Sequence, residues 1–84
     1  LLIANAYPNP LNRGQVLNVS AEGDEYPSVI EIFSTAGELV ARVPATGEIT
    51  EVDALSDMPS GVYLLKVKGV NGGIFEGDLK VIVK

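Results

Sequence analysis

The sequence predicts an all-β protein, a sandwich of seven short strands, and three observations predict it. Short runs rich in Val, Ile, Leu and Tyr alternate with turn residues along all 84 positions. No long window carries the apolar period of a helix, whereas several runs show the strict alternation of a half-buried strand. The separators, finally, are residues with a local reason to interrupt a ladder.

The first strand spans Leu2 to Tyr7 and stops where Pro8 and Pro10 have no N–H to donate. Val16 to Ser20 follows, with Leu17 and Val19 on one face. Val29 to Ser34 carries Ile30 and Ile32 on one face. Gly37 suits the left-handed position of a tight hairpin, which leads into Glu38 to Val43 with Leu39, Ala41 and Val43 in phase. Phe33 and Val40 fall on the opposite parity, so they are expected to be partly exposed or covered by a loop or a preceding domain. Glu48 to Ala54 is the fifth strand, and Pro59, Ser60 and Gly61 form the turn into Val62 to Lys68. Ile74 to Val83 is the last. With no linker or low-complexity tract, residues 1–84 read as a single domain.

The final hairpin predicts its own register. Tyr63, Leu65 and Val67 alternate with lysines, and Leu79, Val81 and Val83 share a parity, so both apolar faces point inward only if the loop has odd length. Asn71, Gly72 and Gly73 supply it. The expected pairs are Val70 with Ile74, Leu65 with Leu79, Tyr63 with Val81, Lys66 with Asp78 and Lys68 with Glu76, unless a bulge at Gly77 shifts them by one residue.

Composition narrows the function. The chain is 46% hydrophobic and 20% charged, with net charge −5 and no cysteine, histidine or tryptophan. A chain this size buries about 60–65% of its unfolded surface, enough for one modest core. Disulfides, thiolate zinc sites and histidine-based acid–base chemistry are excluded. Residues 1–60 are net −7, while residues 61–84, with Lys66, Lys68, Lys80 and Lys84 against Glu76 and Asp78, are net +2. An acidic chain without a basic run is a poor ligand for nucleic acid, where phosphate contacts dominate affinity. No segment reaches the ~18–20 apolar residues of a membrane-spanning helix. The chain starts at Leu1, not Met, so it is expected to be excised from a longer precursor with any export signal upstream.

Candidate chemistry is sparse. Asp24 with Glu25, or Glu51 with Asp53, are paired carboxylates, but a domain this small has little room for a cleft, and the second pair reads as a solvated strand face. Ser60 has no histidine to activate it and reads as a turn residue. Asp53 and Asp57 flank a turn without the spaced series of a calcium loop. Asn18-Val19-Ser20 fits a glycosylation triplet but lies inside a strand. No catalytic, metal or cofactor site is therefore expected, and exposed strand edges remain available to a partner strand.

Four segments in order carry a resemblance: Ala6-Tyr7-Pro8-Asn9-Pro10, Ile32 through Val40 with its Thr35-Ala36-Gly37 turn, Met58-Pro59-Ser60-Gly61-Val62-Tyr63-Leu64-Leu65-Lys66-Val67, and Lys80-Val81-Ile82-Val83-Lys84. Their order and spacing resemble the type A C-terminal sorting domain of the type IX (Por) secretion system of Bacteroidota, over nearly the whole chain. Ser34 stands where that family usually has aspartate, and serine makes the same turn-capping bond more weakly. Met58 stands for the more usual leucine, a volume-conserving change.

The resemblance implies an address label on a secreted cargo and not an enzyme. Such cargo crosses the inner membrane by the Sec route, is transiently periplasmic, and is carried by the domain to shuttle proteins and the outer-membrane translocon. A cysteine-protease sortase then cuts before or around Leu1 to Ala6 and leaves the product secreted or anchored to lipopolysaccharide at the cell surface. Lys84 would close the precursor. Within this reading Lys80, Val81, Ile82, Val83 and Lys84 are expected to form the translocon-recognition strand, with Val81 and Val83 in the core and Lys80, Ile82 and Lys84 outward. Tyr7, Pro8, Asn9, Pro10, Gly37, Pro59, Ser60, Gly61, Val62 and Tyr63 are expected to be mainly fold determinants. An alternative is an immunoglobulin-like accessory or spacer module of a secreted enzyme or adhesin, sharing the seven-stranded immunoglobulin-like sandwich. A weak homodimer through an exposed edge is expected only at high concentration.

Overall fold

A computed structural model describes residues 1–84. Seven strands form: β1 (Leu2–Tyr7), β2 (Leu17–Gly23), β3 (Pro27–Ser34), β4 (Leu39–Pro44), β5 (Ile49–Val52), β6 (Gly61–Gly69) and β7 (Lys80–Val83). They make a three-stranded sheet, β1-β2-β5, and a four-stranded sheet, β4-β3-β6-β7, with every strand pair antiparallel. No helix is present, and the architecture is the immunoglobulin-like β-sandwich expected from the alternation.

Period-two burial builds the interior. Ala4 and Ala6 of β1, Leu17, Val19 and Ala21 of β2, and Val52 of β5 face Ile30, Ile32, Leu65, Val67, Val81 and Val83 of the other sheet, with Leu11, Leu55 and Phe75 added from loops. Tyr63 is buried with them, and its hydroxyl donates to the Pro59 carbonyl oxygen at 2.7 Å, so the ring is buried without orphaning its polar end. The Gly37 turn forms as expected. Gly37 has φ 85°, and the Ser34 Oγ accepts from the Glu38 N–H at 3.3 Å.

Two expectations are corrected. Opposite Phe33 and Ile32, β4 carries an extra residue: Ile32 pairs with Ala41 and Phe33 with Leu39. That bulge reverses the local parity. Val40 packs against the core and Leu39 is half-exposed.

The second concerns Ile74 to Val83, which is not one strand. Near Val81 the expected register holds, with Tyr63 opposite Val81 and the Leu65 N–H donating to the Leu79 carbonyl at 2.9 Å. Near the turn Lys68 faces Ile74, and the Phe75 N–H donates to the Val67 carbonyl at 3.0 Å. Glu76, Gly77 and Asp78 therefore stand against Lys66 alone, a shift of two residues, and Val70 does not pair with Ile74. The displaced residues cross to the other sheet and run parallel to β1. There the Glu76 N–H donates to the Leu2 carbonyl at 3.1 Å, and the Ala4 N–H to the Glu76 carbonyl at 2.9 Å. Gly77 is required at this crossing because a Cβ would fall on the Ala4 carbonyl. The predicted pairs Lys66–Asp78 and Lys68–Glu76 consequently do not form. Lys68 Nζ lies 3.2 Å from Glu31, which also meets Arg42 Nε at 3.5 Å.

Candidate functional site

β7 is a short strand with two unlike faces. Val81 and Val83 point inward and are 0% and 2% exposed, whereas Lys80, Ile82 and Lys84 are exposed, the arrangement read from the alternation. On its inner edge β7 pairs with β6, Gly61 lying opposite Val83 and Val62 opposite Ile82.

The outer edge is closed by the proline-flanked segment from the other end of the chain. Asn9 Nδ2 donates to the Lys80 carbonyl at 2.6 Å, and Asn9 Oδ1 accepts from the Ile82 N–H at 3.0 Å. One residue pair further on, the Leu11 N–H donates to the Ile82 carbonyl at 2.7 Å and the Lys84 N–H to the Leu11 carbonyl at 2.9 Å. The Asn9 amide thus stands in for a peptide unit of a neighbouring strand. Leu11, fully buried, anchors the segment. Both X-Pro bonds, Tyr7-Pro8 and Asn9-Pro10, are cis. Tyr7 is 43% exposed at the end of β1, where Asn18 Nδ2 donates to its carbonyl at 3.5 Å.

The four motif segments converge on one end of the four-stranded sheet. Pro59 and Ser60 turn the chain into β6, whose Gly61, Val62 and Tyr63 pair along β7. Ser34, which opens the Gly37 turn, lies opposite Tyr63. On the outer surface of this end, Leu39, Phe33 and Leu64 sit side by side across β4, β3 and β6, next to Val62 and Ile82. Leu39, Leu64 and Ile82 are 50%, 43% and 42% exposed. Lys80 of β7 and Lys84, the residue after it, flank this apolar row.

Sequence reasoning did not single out Leu11 or Leu64, and it put Leu39 in phase with Ala41 and Val43 on the inward face, from which the bulge turns it outward. Leu39 and Leu64 lay within motif segments, but their partners depend on a register that no local pattern encodes.

The other candidate residues lie in turns or on exposed strand positions. Glu25 Oε1 accepts from the N–H groups of Asn71 and Gly73 at 2.9 and 3.1 Å and so caps the β6 hairpin. Asp53 belongs to a turn in which Ser56 Oγ donates to its carbonyl at 2.7 Å. Glu51 lies exposed on β5, and Ser60 is exposed in its turn. No three acidic side chains converge as a metal site would require. The largest surface depression, about 370 Å³, is lined by Gly23, Asp24, Glu25, Tyr26, Val70 and Asn71, apart from the motif segments. No helix is long and apolar enough to cross a membrane.

Two comparisons bear on this arrangement. No curated protein matches the chain. The family described as the secretion system C-terminal sorting domain matches residues 5–84, a span that takes in the Asn9 clamp, the motif turns and β7 together. The chain belongs to the family of secretion system C-terminal sorting domains.

Proposed function

We propose that the outward side of β7, Lys80, Ile82 and Lys84, with the apolar row beside it, is what the type IX translocon and its shuttle proteins read, and that residues 1–84 are the sorting domain of a larger secreted precursor. Membership in the family makes the chain a C-terminal sorting signal of type IX secretion, which implies contact with the secretion machinery and export to the cell surface or medium. The family is one of signals and not of enzymes. The observation that carries the finer reading is the clamp on β7. With its outer edge occupied by Asn9 and Leu11, the strand offers a partner its side chains and not its backbone, so recognition falls on Lys80, Ile82 and Lys84.

Removal of the domain by a sortase belongs to the same proposal, and the fold bears on where the cut falls. β1 is paired on both sides, with β2 and with Glu76 to Asp78, and its Ala4 is fully buried. A protease acting on the folded domain therefore reaches the chain before Leu2 and not within Leu2 to Ala6.

The test is a fusion of residues 1–84 to the C-terminus of a Sec-exported fluorescent protein in a bacterium with a type IX system. The triple variant K80E/I82S/K84E is compared with the unmodified fusion. Export of the unmodified fusion, with the folded variant retained in the periplasm, supports the reading. Equal export of both removes β7 as the recognition strand.

A further inference from the structure

The two outer faces of the sandwich differ in the sign of their charge. Outward positions of β4, β6 and β7, with the residue after β7, carry Arg42, Lys66, Lys68, Lys80 and Lys84, which leaves Arg13 as the only cation elsewhere in the chain. Among the four strands of this sheet the one carboxylate is Glu31 of β3, 7% exposed and already engaged by Arg42 and Lys68. Lys66, Lys80 and Lys84 have no carboxylate within ion-pair distance. The outward positions of the three-stranded sheet are Ile3, Asn5, Tyr7, Asn18, Ser20, Glu22, Ile49 and Glu51, with no cation among them.

Solubility alone is served by mixing signs over a surface, whereas segregation gives a protein of net charge −5 one positive face. That face also holds the apolar row Leu39, Phe33, Leu64 and Ile82, all but Phe33 exposed. A partner that satisfies both features is apolar where it meets the row and carboxylate-rich around it.

We infer that the whole outer face of the four-stranded sheet, including β6 and β4 and not β7 alone, docks onto an acidic, apolar-centred protein surface of the secretion machinery; this inference rests on the sorting reading above. An anionic lipid surface matches the charge but not the row. Leu39, Leu64 and Ile82 lie within a pleated face among longer cationic side chains, so a headgroup layer would meet the lysines and leave the leucines wet. A second copy offers an acidic face, but stacking unlike faces does not close and would string net-negative copies into filaments.

The experiment uses the same reporter fusion with variants that leave β7 intact. The double variant L64S/K66E is compared with E22K/E51K on the opposite sheet, and thermal melts of the purified fusions confirm folding. Export is expected to fall about tenfold or more for L64S/K66E, the scale of a single lost contact worth ~1.4 kcal/mol, and to stay within about twofold for E22K/E51K. K66R is expected to export normally. If L64S/K66E proves unstable, K66E alone carries the test.

Suppressors that restore K66E are expected to exchange an acidic residue for lysine in a secretion component. Failure of the unmodified fusion to be exported sinks the sorting reading itself. Normal export of the unmodified fusion and of folded L64S/K66E alike sinks only the wider face. Co-sedimentation of the fusion with phosphatidylglycerol vesicles at physiological salt, lost in K66E, reassigns the face to lipid. Concentration-dependent self-association lost in K66E reassigns it to a second copy. Either reassignment overturns the protein partner.

Discussion

Asn9 and Gly77 show how much of this fold rests on single atoms placed by distant chain. Asn9 lies 71 positions from the Lys80 carbonyl that it binds, and its amide supplies both a donor and an acceptor to the β7 edge. Asn9→Ala removes both bonds and leaves two backbone groups to water, so it is expected to cost about 1–2 kcal/mol. In a domain of this size that lowers Tm by roughly 4–16 °C, measurable by thermal melting, with faster amide exchange at Ile82. Asn9→Asp keeps the acceptor and loses the donor, and should fall between the two. Gly77→Ala sets a methyl group against the Ala4 backbone carbonyl, which no rotamer can relieve. Its cost should reach about 2 kcal/mol or more, and a melting curve matching that of the unmodified domain would show that the crossing does not constrain the site. Neither role was legible in the sequence. Asn9 between two prolines reads as a turn, and Gly77 as a one-residue bulge, because the groups that they meet are supplied from 70 or so positions away. Ser34 was legible because its partner, Glu38, is four residues off.

At the scale of the element, alternation carried most of the information. All seven strands and the inward side of β7 follow from a period that depends only on neighbours two residues apart. Boundaries and register followed only in part, as for β1 and for Tyr63 opposite Val81, since they depend on competition between partners. Ile74 to Leu79 has the pattern of a β6 partner, yet β1 takes Glu76 to Asp78 from it, and Glu31 takes Lys68 from Glu76. The same dependence makes β7 structural as well as exposed. Ending the chain at Leu79 deletes Val81 and Val83, each worth roughly 1.5–3 kcal/mol of burial, and strips Asn9 and Leu11 of their partners. Against a stability of about 5–15 kcal/mol, that truncation is expected to unfold the domain, giving a protease-sensitive product without a cooperative melt. Loss of export on truncation would therefore report folding and not recognition, which is why outward point substitutions are the informative variants.

For the whole molecule, the open strand edges decide whether the domain pairs with itself. A sandwich of two sheets has four edges, and two are occupied: β7 by Asn9 and Leu11, and β1 by Glu76 to Asp78. The remaining edges are β5, only four residues long, and β4, which ends in Pro44 with no N–H to donate. β4 is also bulged against its neighbour, a distortion that disfavours regular pairing with a further strand. An address label carried by many cargo molecules at once gains from such closure, because a long open edge would join the cargoes before any receptor was met. Sedimentation velocity at micromolar concentration is therefore expected to give a monomer, with any weak dimer running through β4. A stable dimer at that concentration would place the contact on a sheet face instead, since the two open edges are short or blunted. Sensitivity of that dimer to K66E would then identify the basic face as the surface by which the domain meets its own copies.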